Sequence, residues 1–198
     1  MKGETMNKGR LEAFTDALLA IAATVMVLEL HIPEISSLKG LTEQAVTVIA
    51  YLISFLTIYA VWYAHHGLFK DAEVISGGAY ILNGIWIMLL LFLPLFTGWL
   101  ISTRYSVFPS VLYAADHFLS ILTFSLLERR LIKDNPGLAP QEMTVMGINV
   151  RKVSLIMSVV SMAGAFIFPP ISLYISGIMV IISIISIAMG DKRSVAGK

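Results

Sequence analysis

Long apolar runs alternate with short polar or helix-breaking stretches along the whole chain. The first covers about Leu11 to Leu30 and ends at Pro33, which cannot continue a helix. The second covers about Leu41 to Tyr63 and leads into His65 and His66. The third covers about Ala79 to Ile101, with Pro94 late in it as an expected kink. The fourth covers about Val107 to Leu127 and is expected to stop at the charged cluster Glu128, Arg129, Arg130. A polar stretch from Lys133 to Asn149 follows, carrying Asp134, Pro136, Gly137 and Pro140. The fifth run covers about Val153 to Phe168, Pro169 and Pro170 break the chain, and the sixth covers about Ile171 to Met189. Runs near 20 apolar residues are the length that crosses about 30 Å of hydrocarbon as a helix. The pattern predicts an all-α, polytopic membrane protein: one domain of six transmembrane helices over residues 1–190, and a basic tail over 191–198.

Composition agrees. Of 198 residues, 57% are hydrophobic and 14% charged, with a mean hydropathy of +0.82, well outside the balance of soluble domains. The absence of cysteine excludes disulfides, thiolate catalysis and cysteine metal sites. The first apolar run is too long for a signal peptide and is expected to stay in the mature chain.

Charge placement gives an expected orientation. With the N-terminus inside, the inner segments hold Lys2, Lys8, Arg10, Lys70, Arg129, Arg130, Lys133, Arg151, Lys152, Lys192, Arg193 and Lys198; the outer loops hold Lys39 and Arg104. This bias puts both termini in the cytoplasm of a multi-pass protein of the cell membrane. No internal duplication of the kind common in transporters is visible. Nor do any nucleophile, acid and metal-ligand sets meet at one depth, so no enzyme and no cofactor is expected. The few basic residues lie at membrane edges, so no nucleic acid is expected as a partner.

That topology gathers scattered polar residues at the cytoplasmic side: Arg10, Thr15 and Asp16 on the first helix, Trp62, His65 and His66 on the second, and Asn83 on the third. An intramembrane carboxylate must be satisfied. Arg10 and Asp16 lie six positions, about 240°, apart on a helix and do not pair along one face. Asp16 is expected to meet His65, His66, Trp62 or Asn83. The cluster reads as a structural knot between helices or as a proton relay through the histidines; a metal site is awkward, because adjacent histidines point about 100° apart. Asp116 and His117 form a second polar pair in the fourth helix, readable as a packing contact or a subunit contact. Ile21, Val25 and Leu28, spaced i, i+4 and i+7, make one apolar face with Thr24 beside it. Alone, such a stripe means lipid contact or packing.

Arg10, Phe14, Thr15 and Asp16, followed by Ala20, Ile21 and Thr24, resemble the R-x-x-x-F-S-D signature of the transmembrane protein 175 family of potassium channels. Trp62, His65, His66, Phe69, Asn83 and the Leu93 to Phe96 stretch continue the likeness. It covers the first three helices, with Thr15 standing where the family has serine. The resemblance implies a homotetrameric, potassium-permeable cation channel whose pore is lined by the first helix. It implies a constriction at Ile21, Val25 and Leu28, with Ile21 the narrowest, and a hydroxyl near the ion path at Thr24. Arg10, Phe14, Thr15, Asp16, Trp62, His65, His66 and Asn83 take the places of the family's packing and hydrogen-bonding network. Val25 is smaller than the usual leucine. Independently, nothing like TVGYG occurs, so a carbonyl filter is excluded and only modest potassium preference is expected. The alternative is a proton-coupled transporter or proton pathway using Asp16, His65 and Asp116.

Overall fold

A computed structural model describes residues 7–28, 44–140, 144–145 and 148–196. The predicted end of the first helix at Leu30 and Pro33, the start of the second at Leu41, and Lys2, Lys39 and Lys198 lie outside the described residues. So do the side chains of Lys192 and Arg193. Among the described residues the fold has six helices: α1 (Lys8–Leu28), α2 (Ala45–Lys70), α3 (Gly77–Ser102), α4 (Val107–Asp134), α5 (Val150–Gly164) and α6 (Ile171–Ala196). A two-residue antiparallel pair, β1 (Thr144–Val145) and β2 (Ile148–Asn149), lies just before α5. Five of the helices are long and apolar enough to cross a membrane: α1, α2, α3, α4 and residues Ile171–Met189 of α6. The chain is a multi-pass membrane protein.

The differences from the sequence expectations are at helix ends. α2 continues to Lys70, so His65 and His66 lie inside it. α4 does not stop at Glu128 but runs on to Asp134. Its charges are accommodated within the protein: Glu128 pairs with Arg151 of α5, and Arg130 lies 3.0 Å from Asp134 one turn on. The fifth helix spans 15 residues and both begins and ends a few residues earlier than expected. Ala165 to Ile167 form turns, because Gly164 is followed closely by Pro169 and Pro170 and a residue before proline disfavours the helical region. The segment expected to be a tail begins as helix, since α6 extends through Ala196. Pro94 sits buried inside α3. Past it, the Thr97 hydroxyl donates to the Leu93 carbonyl at 2.7 Å.

Local chemistry explains several of these ends. Asn7 accepts from the Arg10 amide at 3.2 Å and caps α1. Ser76 caps α3 by accepting from the Ala79 amide, and its hydroxyl also donates to Asp134. Asn149 caps α5 by accepting from the Lys152 amide at 3.0 Å. Asn135, just past α4, accepts from the Glu73 and Val74 amides and donates to the Val74 carbonyl, which fastens the α2–α3 turn to the end of α4.

α3 packs on α4 and α1, α4 on α5, and α6 on α5 and α2. The core between them is closed by Trp86, Tyr113, Phe69, Leu93, Leu100 and Leu127, each nearly or fully buried. Gly177 on α6 lets α2 approach, for a Cβ there would lie 3.0 Å from the Ile53 Cδ1. Gly177→Ala sets about 1 kcal/mol of gained helix propensity against the clash with the Ile53 end. Ile53→Val, which removes the clashing Cδ1, should therefore cost less Tm in the Gly177→Ala background than in the wild type; equal costs in detergent would refute this contact.

Candidate functional site

Thr15 and Asp16 are consecutive on α1, so their side chains leave the helix about 100° apart. Each grips a different neighbour. Asp16 Oδ1 accepts from the Trp62 indole N–H on α2 at 2.9 Å. Thr15 Oγ1 accepts from Asn83 Nδ2 on α3 at 3.0 Å, while donating to the Leu11 carbonyl at 2.9 Å. The Asn83 carbonyl oxygen in turn accepts from His65 Nε2 on α2 at 2.9 Å. With the amide placed this way, His65 carries its proton on Nε2. Thr15, His65 and Asn83 are 0–1% exposed, so these hydrogen bonds are made where water hardly reaches. The His65 ring is held flat between Trp86, 5.0 Å away and nearly parallel, and Phe69 at 4.2 Å.

Other network positions lie around this knot rather than in it. His66 is exposed and stacks on Trp62 at 6.0 Å. Arg10 is exposed at the same end of α1. Phe14 is 59% exposed and points out of the bundle. One link that the sequence does not announce is Lys8, whose ammonium donates to the Lys70 carbonyl at 3.0 Å and ties the start of α1 to the end of α2. A lysine one turn before an apolar run carries no sequence signal for such a bond.

The two grips fix the rotation of α1 about its own axis. Leu11, Thr15, Leu19, Ala22 and Met26 face inward and are buried. The stripe consequently faces out: within one subunit Ile21 is 53% exposed, Val25 37% and Leu28 79%. Thr24 is also exposed, and its hydroxyl donates to the Ile21 carbonyl at 2.8 Å, leaving its lone pairs outward.

Asp116 and His117 stand apart from this knot. They line a cavity between α2, α4, α5 and α6, and Trp86 lies between it and His65. The sequence marks the pair but not its surroundings. Serines at 154, 158 and 161 on α5, an i, i+4, i+7 spacing, are the available signal.

A model of the endosomal/lysosomal potassium channel TMEM175 matches residues 10–94, the span that holds the stripe and the knot. A potassium channel of Chryseobacterium sp. (strain P1-3) is 30% identical over 168 residues, covering 85% of this chain and 88% of that protein. The chain belongs to the TMEM175 family. A second relative, a potassium channel of Chamaesiphon minutus, is 32% identical over 66% of this chain and 66% of its own length. The crystal structure of a lysosomal potassium-selective channel TMEM175 homolog from Chamaesiphon minutus superposes with a TM-score of 0.73 at 24% identity, covering 90% of this chain and 97% of that one. At that identity the likeness speaks for the fold. It covers more of the chain than the three helices that carry the family motif.

Proposed function

We propose that the chain is one subunit of a homotetrameric, potassium-permeable cation channel in a bacterial cell membrane, with the α1 helices lining the pore. The observation that carries this reading is the outward stripe on α1. Two hydrogen-bonded grips hold Ile21, Val25 and Leu28 away from the subunit's own core, where four copies can meet around an axis. Family membership adds the ion class, since the bacterial relatives are named potassium channels.

Branched aliphatic side chains around a narrow axis form a gate by excluding water, and they offer no oxygen to replace an ion's hydration shell. Potassium passes with part of its water, which makes selectivity over sodium modest. Thr24, one helical turn from Ile21 and with lone pairs outward, supplies the hydroxyl nearest the constriction. Both termini lie in the cytoplasm. The same end of the bundle gathers Lys8, Lys70, Arg130 and Arg151 around the starts of α1, α3 and α5 and the ends of α2 and α4, in keeping with the positive-inside bias.

Purified protein in liposomes with opposed potassium and sodium gradients tests the reading. A current reversing toward the potassium potential, unaffected by a pH gradient, is expected. Flux that requires a proton gradient would replace it with the proton-coupled alternative through Asp16, His65 and Asp116. Against that alternative stands the Trp86 ring, which separates the His65 knot from the cavity on which Asp116 opens.

A further inference from the structure

The cavity between α2, α4, α5 and α6 has a volume of about 130 Å³, room for roughly four water-sized molecules at about 30 Å³ each. Four buried polar atoms at one end of it have no hydrogen-bond partner among the described residues: Asp116 Oδ1, His117 Nε2, Ser120 Oγ and Ser161 Oγ; a fifth, Arg151 Nη2, lines the other end. Asp116 is 4% exposed, Ser120 6% and Ser161 2%. Buried polar groups are satisfied in almost every native structure, so four orphans at one end of a cavity call for an occupant.

These atoms share a depth. Glu128 on α4 pairs with Arg151 on α5, which sets the register of two neighbouring antiparallel helices. Counting back along α4 and forward along α5 from that pair, Ser161 falls level with the turn between Asp116 and Ser120. Their chemistry is equally consistent. His117 Nδ1 lies 3.0 Å from the Tyr113 carbonyl and donates to it, so in the neutral ring Nε2 presents a lone pair. Asp116 brings two acceptor oxygens and one negative charge. Each serine hydroxyl brings lone pairs and one proton. Acceptors outnumber donors in the set. Arg151 Nη2, the buried cationic donor on the same cavity, belongs to a guanidinium that pairs with Glu128 and lies over the Phe124 ring, 5.2 Å from its centroid, about two turns along α4 from Asp116.

We propose that this cavity is a binding site for a hydrated monovalent cation of the sodium or potassium type. The ion is held by Asp116, Ser120 and Ser161 with His117 beside them, inside each subunit and away from the α1 stripe. Hard cations take oxygen ligands, and a single carboxylate matches a single positive charge in a hydrocarbon surround, where an uncompensated second charge is costly. Ser154 and Ser158 continue the polar lining along α5 toward Arg151 at the basic end of the bundle, and the cavity reaches that far. An ion at Asp116 bridges α4 and α5 at a level where no hydrogen bond between their side chains is formed among the described residues. It therefore makes the packing of this half of the subunit depend on cation concentration.

Thermal unfolding of the purified full-length protein in detergent, titrated with potassium or sodium chloride against N-methyl-D-glucamine chloride at constant ionic strength, tests it without any flux. The wild type is expected to gain Tm saturably with either small cation, and Asp116→Asn to lose that response. Ser120→Ala and Ser161→Ala should each move the titration midpoint up about tenfold, the loss expected for one hydrogen-bond-strength contact to a charged group. Identical Tm values in all three salts would overturn the proposal and leave a protonated Asp116 among waters. So would a response that survives in Asp116→Asn but vanishes in Thr24→Ala, because the cation would then sit at α1. Should Asp116→Asn fail to fold, the serine variants decide: unmoved midpoints in both overturn the site.

Discussion

Replacing Ile21 by asparagine is expected to raise the single-channel conductance, and replacing it by cysteine to make the current sensitive to thiol reagents. Ile21 projects from the half-exposed face of α1, and in the proposed tetramer four such side chains form the tightest dry ring. If that ring adds ~1.4 kcal/mol to the permeation barrier, wetting it with an amide raises the rate about tenfold. The cysteine version is unusually clean, because the chain has no cysteine of its own. A methanethiosulfonate reagent should block Ile21→Cys channels. Leu19→Cys, on the buried face of the same helix at 2% exposure, should ignore it. Bilayer recordings before and after reagent provide the check. Unchanged conductance in Ile21→Asn together with reagent-insensitive Ile21→Cys would remove this residue from the ion path.

Asn83→Ala is expected to destabilise the folded subunit by about 2–4 kcal/mol, the cost of leaving more than one buried polar group without its partner. The amide of Asn83 serves His65 through its oxygen and Thr15 through its nitrogen, so one truncation strands two helices at once. Thr15→Val should cost less, about 1 kcal/mol, because it strands only the Asn83 amide proton. Thermal unfolding followed by size-exclusion chromatography measures both. A wild-type Tm for Asn83→Ala, or a larger loss for Thr15→Val, would show that α1 is not held through this link.

Much of this arrangement is legible in the amino-acid sequence, for identifiable reasons. A carboxylate inside an apolar helix demands a partner, so Asp16 advertises a contact, and topology narrows the donor to a short set that includes Trp62. The choice of Trp62 over His65 is not legible. It depends on which face of α2 meets α1, and α2 is apolar all round. The stripe at Ile21, Val25 and Leu28 follows from spacing; its direction follows only from Thr15 and Asp16 holding different helices. Glu128 misleads because a charge after an apolar run looks like an end, whereas here a partner 23 positions later allows the helix to continue. The early end of α5 lies in Gly164, Pro169 and Pro170 acting together, and the cavity around Asp116 lies in three-dimensional register that no local pattern encodes.

The grips on α1 all fall in its first half, at Lys8, Thr15 and Asp16, and beyond them no side-chain hydrogen bond to another helix is formed among the described residues. In its hydrogen bonds the helix is a rod clamped at one end, its second half held by packing alone, through Leu19, Ala22 and Met26. Taking Asp16 as the pivot, Ile21 lies about 7.5 Å and Leu28 about 18 Å along the rod at about 1.5 Å per residue. A swing of about 10° would then carry Ile21 sideways by about 1.3 Å and Leu28 by about 3 Å, by the same rise per residue. In the proposed tetramer, four such rods splaying together would widen the radius of the aperture at Ile21 by about 1.3 Å, while every clamp stayed closed.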